Sequence, residues 1–121
     1  MNIFHIVKKE DWVKPTQHVY QSESLKAQGF IHCCTVNQID KILNQWFKGQ
    51  TGLVLVEINP DLLKAKVKFE NLEGGQELFP HIYGPINLDA VINEKIIANS
   101  EKLKKEERIQ IPIEKFTARS H

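Results

Sequence analysis

Three histidines and a tyrosine stand in apolar stretches that read as strands: His5 in NIFHIV, His32 in FIHCC, and His81 with Tyr83 in FPHIYGPI. An imidazole among apolar neighbours needs a partner, because a buried polar group left unpaired costs about 1–3 kcal/mol. Pro80 and Pro85 bracket the last stretch. Each proline fixes φ and removes an amide donor, so the piece between them is extended. Residues two apart in an extended chain point the same way, which places His81 and Tyr83 on one face. By the same alternation His5 shares a face with Ile3 and Val7, and His32 with Phe30 and Cys34. Strands gathered into one sheet bring the three rings to a common hollow.

Three chemistries use such a set. In a nucleotide pocket, neutral imidazoles bond ribose hydroxyls or phosphates while Tyr83 or Tyr20 stacks on a ring. In a metal site, His5, His32 and His81, with Cys34, form an N/S donor set suited to zinc, although no CxxC, HxxxH or HExxH spacing is present. In general acid–base catalysis a carboxylate poises a histidine, and Glu70 and Glu77 stand just before the proline-bracketed motif. A histidine beside Cys34 is also the arrangement that activates a thiol nucleophile, though free cysteine more commonly serves as a small buried apolar residue. The plainest alternative makes each histidine a core residue satisfied by a carbonyl, in a binding module without catalysis.

The elements that must position these groups are short. NIFHIV is an opening strand rich in β-branched and aromatic residues. SESLKAQG is a short helix, with Ser22 as N-cap and Gly29 in the left-handed position past its end. FIHCC, Phe30 to Cys34, is a strand. Thr35 and Gln38 then make a capping box for the clearest helix, on which Ile39, Ile42, Leu43, Trp46 and Phe47 fall on one face. Gly52 to Ile58 is a nearly continuous apolar strand, covered on both sides, and Ala65 to Glu70 alternates as a half-buried one. A strand is expected near Val91 to Ala98, a charged turn at EKLKKEER, and a last edge strand over Ile109 to Ile113 on account of Pro112. Trp12 and Tyr20 are placed at the rim of the hollow.

The chain has 121 residues, 26% charged and 41% hydrophobic, with a formal net charge of +1. That is the size of one domain, spanning residues 1–121. Near-neutral charge offers no footprint for nucleic acid or a membrane surface, and no apolar run is long enough to span a bilayer. No secretory signal is read at the start, and adjacent Cys33 and Cys34 point to opposite faces, so reduced thiols in a cytoplasmic protein are expected. His18 and His121 fall in a loop and at the terminus. The parts make an α+β domain with a small split mixed or antiparallel sheet and two helices.

GFIHC and FPHIYGPI, in that order, with LVLVEI and VKFE between them, resemble the family of domain of unknown function 952, over Ile3 to Val91. The usual family form carries a small hydroxyl residue where Cys34 stands, which counts against a cysteine mechanism. The family is similar in outline to the ADP-ribosyltransferase superfamily of NAD-binding split-sheet domains. That resemblance implies an ADP-ribosyltransferase-like fold with NAD, ADP-ribose or a related nucleotide as the small-molecule partner. It places His5 at the ribose and His32 in the following strand, with His81 and Tyr83 bordering the nicotinamide side. No matching ribose-activating glutamate is found, and Glu70 or Glu77 has to take that part. The reaction implied is an NAD-dependent transfer.

Overall fold

A computed structural model describes residues 1–12, 19–71 and 74–97, and the backbone of 111–112. The EKLKKEER segment, His18 and His121 lie outside the described residues.

The opening strand, β1 (Ile3–Lys8), runs straight into one helical turn, α1 (Lys9–Trp12). After β2 (Val19–Tyr20), Ser22 caps α2 (Glu23–Gln28), its side chain accepting from the Leu25 amide. Gly29 closes that helix at φ 89°, where its missing Cβ avoids strain, and its N–H bonds the Leu25 carbonyl. β3 (Ile31–His32) is shorter than the expected five residues. The capping box at Thr35 and Gln38 is present, followed by a 3-10 turn and α3 (Ile39–Trp46). Then come β4 (Leu53–Ile58), β5 (Lys66–Glu70), β6 (Phe79–Tyr83), β7 (Ile86–Asn87), β8 (Val91–Ile97) and β9 (Ile111–Pro112).

Every described strand pairing is antiparallel. One sheet has the order β1-β4-β8-β9, a second β3-β6-β5, and β2 pairs only with β7. The result is a small α+β fold of mostly antiparallel sheets with few helices. β9 lies at the sheet edge, the place a proline-bearing strand tolerates.

Alternation along β1 and β4 divides the interior in two. Ile3, Val7, Val54, Val56 and Ile58 face one cluster with Ile31, Ile82 and Tyr20. Ile6, Leu53 and Leu55 face the other, where Ile39 and Leu43 of α3 pack. β4 is thus covered on both faces, as its apolar run requires. The helix stripe is broken in one place. Ile39 and Leu43 are fully buried, but Trp46, expected on the same buried face, is 59% exposed. α3 ends there, and the chain leaves the helix at Phe47 before the apolar stripe is fully covered.

Among the described residues one bridge, Phe4 to Cys34, joins the two larger sheets, with both amides bonded at 2.8 Å. Continuing that register would set Ile6 against His32. Instead the His32 carbonyl accepts from His5 Nδ1 at 2.8 Å, and the seam parts. A groove of about 630 Å³ lies there, with Ile6, His32, α3 side chains, Glu70, Asn71, Glu77 and Phe79 in its walls.

Candidate functional site

His5, His32 and His81 all line this groove. The structure brings the three rings to one hollow but wires them differently.

His5 is buried, with both nitrogens engaged. A carbonyl can only accept, so Nδ1–H donates to His32, and Nε2 accepts from the Tyr20 hydroxyl at 3.2 Å. Burial lowers its pKa to about 4, keeping the ring neutral at ordinary pH. Tyr20 is 4% exposed, and burial raises its phenol above the ordinary value. Trp12 packs on Tyr20 with ring centroids 4.8 Å apart and donates its indole N–H to Glu94 at 2.9 Å. The expectation that Tyr20 and Trp12 form the rim is corrected: both belong to the interior, because the His5–Tyr20 bond draws the phenol inward. His5 has no ring nitrogen left to offer a ribose, since a carbonyl and a phenol already hold both.

His81 has a different environment. On β6 it lies opposite Lys68 of β5, with Glu70 one step along the same face. Nδ1–H donates to Glu70 Oε2 at 3.0 Å, and the Tyr83 hydroxyl donates to the same oxygen. These bonds, Tyr83 first and His81 second, hold the Glu70 carboxyl below its ordinary range, while Glu70 raises the Tyr83 phenol. The shared face of His81 and Tyr83 thus converges on one carboxylate oxygen. Phe30 stacks on the His81 ring at 4.4 Å and sits 5.4 Å from Tyr83. Among the described residues, His81 Nε2 has no hydrogen-bond partner. A carboxylate-oriented imidazole with an open second nitrogen is the arrangement of a general base.

His32 stands directly across from His81, ring centroids 5.4 Å apart. Its Nε2–H donates to Gln28 Oε1 at 2.8 Å, so the last turn of α2 fixes it. Ser24 steadies that corner by donating to the Phe30 carbonyl at 2.9 Å.

Glu77 does not reach a histidine. It pairs with Lys41 and accepts from Gln38 Nε2 at 3.0 Å, and these partners, Lys41 foremost, lower its pKa. Of the two carboxylates before the proline-bracketed motif, Glu70 therefore holds a histidine and Glu77 does not. Cys33 and Cys34 are free thiols facing opposite clusters. Burial pushes Cys34 up to about 12 and Cys33 well above the usual value, so neither is a thiolate nucleophile at neutral pH. The zinc reading is also corrected. Among the described residues no three His, Cys, Asp or Glu side chains are grouped to hold a metal ion, because His5 is spent on Tyr20 and His32, and Cys34 stays protonated.

Trp46 is the site residue that the helical pattern hid. It lines the groove with most of its surface open.

The profile of the family described as "Protein of unknown function (DUF952)" matches residues 6–94. The chain belongs to the DUF952 family. It is similar to protein CC0527 from Caulobacter crescentus, at 28% identity to the crystal structure. The TM-score is 0.72, with 91% of this chain and 94% of that one covered. The solution structure of CC0527 gives a TM-score of 0.69, with 97% of each chain covered. No curated protein matches the chain. These relatives support the DUF952 fold without an ADP-ribosyltransferase assignment. Among the described residues, no helix of this DUF952 protein is long and apolar enough to cross a membrane.

Proposed function

We propose that the groove binds a nucleotide, NAD or ADP-ribose foremost, and that Glu70 and His81 serve it as an acid–base pair. The observation that carries this reading is the Glu70–His81 hydrogen bond in the wall of a groove of about 630 Å³, within the usual range of ligand pockets. The ligand class is taken from the resemblance read in the sequence, an analogy that the solved relatives do not extend to the fold, and the residues give the roles.

In a transfer at the nicotinamide ribose, the glycosidic C–N bond breaks and its electron pair leaves with nicotinamide. The acceptor oxygen bonds to the same ribose carbon, and its proton passes to His81 Nε2. Glu70 then faces a full imidazolium, which the Nδ1–H bond stabilises. In this reading His32 and Gln28, which line the groove, take over the sugar hydroxyls first assigned to His5. Among the described residues Lys41 is the one lysine lining the groove, and it is paired with Glu77, so a diphosphate would compete with that carboxylate for it.

Calorimetric titration with NAD and ADP-ribose tests the reading. Saturable heats are expected, weakened about tenfold or more by His81→Asn, which removes one charge-assisted partner. Silence from both ligands at millimolar concentration removes the proposal.

A further inference from the structure

Trp46 breaks a rule that the rest of α3 keeps: a large aromatic in the apolar stripe stays 59% exposed while Ile39 and Leu43 are sealed. It opens into the groove, where Phe4, Phe47 and Phe79 also contribute aromatic surface. Among the described residues the formally charged side chains lining the groove are Glu70 and Glu77 against Lys41, two carboxylates to one ammonium. Lys41 is already spent on Glu77. Trp46 is also the last residue of α3, where the helix carries its partial negative charge. Aromatic faces, excess carboxylate and a helix C-terminus all attract the same thing.

We propose that the groove selects an organic cation, a quaternary ammonium or pyridinium-type group, seated against the Trp46 indole. The ring face supplies cation–π attraction to a charge too well capped to prefer water. Glu70, the carboxylate left over once Glu77 is paired with Lys41, supplies longer-range attraction without contact. Primary amines are disfavoured, since their strong hydration is not replaced by the aromatic wall. This inference takes from the preceding one only that the groove is a ligand site.

The test uses choline and 3,3-dimethylbutan-1-ol, which have the same shape and differ in charge. The indole N–H signals of Trp46 and Trp12 are followed by NMR on the full chain. Choline is expected to shift Trp46 saturably, to leave buried Trp12 in place, and to bind about tenfold tighter than the neutral alcohol. Trp46→Leu is expected to weaken choline about fivefold, and because the indole is exposed the fold stays intact. Equal affinity for the two probes, no saturable shift, or unchanged affinity in Trp46→Leu each overturns the proposal. Choline binding in a protein deaf to NAD and ADP-ribose sustains it and removes the nucleotide reading. Nucleotide binding with choline silent does the reverse.

Discussion

His5 and His81 are buried almost equally, at 6% and 5% exposed, yet they belong to regions of opposite character. Around His5, every polar atom named is consumed inside the protein: a β3 carbonyl on one nitrogen, a phenol on the other, an indole packed against that phenol. Around His81, the wiring stops halfway, with a carboxylate on Nδ1 and the ring at a groove. The difference teaches that burial does not separate a structural histidine from a chemical one. The count of nitrogens already engaged does.

The contrast breaks first on stability. His5→Ala leaves a buried carbonyl and a buried phenol both unpaired, and is expected to cost about 3–4 kcal/mol in urea unfolding. His81→Ala opens space that groove water refills, and is expected to cost about 1–2 kcal/mol. Comparable losses would erase the distinction.

Acid sharpens it next. The folded pKa of His5, about 4, lies below its unfolded value of 6.5, so between those values the unfolded chain binds the extra proton. Stability from this group is complete above pH 6.5 and falls by about 3 kcal/mol on the way to pH 4. Glu70 and Glu77, also depressed, hold their contribution above the ordinary carboxylate range and lose it only at lower pH. Unfolding curves taken from pH 7 to pH 4 should therefore drop in the wild type and flatten in His5→Gln. A drop that persists in that variant assigns the titration elsewhere.

The smallest difference is the most specific. Tyr20→Phe strips a donor from buried His5 and is expected to cost about 1–2 kcal/mol. Tyr83→Phe removes the same atom from solvent-facing Glu70 and should leave the unfolding midpoint where it was. Its mark is instead a rise of the Glu70 pKa toward the ordinary carboxylate value, followed by NMR titration. An unmoved Glu70 would mean that the Tyr83 bond does not govern it.

Much of the framework was legible beforehand because its signals are local. Ser22, Gly29 and the Thr35–Gln38 box act within one turn of chain, and the apolar run of β4 needs no partner to declare itself. The meeting of three distant histidines was expected from alternation within one sheet, but β1 lies in a different sheet from β3 and β6, and His5 reaches the other two across the Phe4–Cys34 bridge. What alternation could not supply was the second atom of each bond. That Tyr20 turns inward to His5 depends on β2 pairing with β7, a two-residue ladder between segments with no strong strand pattern. That Glu70 and not Glu77 serves His81 depends on the β5–β6 register. Trp46 misled because a helical stripe shows which side is apolar and not how far along the helix the cover extends.

Cys33 and Cys34 are neighbours by one peptide bond, yet their sulfurs are shut into the two different interiors on either side of β1 and β4. A thiol-trapping reagent entering by the groove that both residues line meets each sulfur packed in a different chamber. The chain therefore carries two clocks side by side, one timing the helix-covered chamber and the other timing the chamber that holds Tyr20.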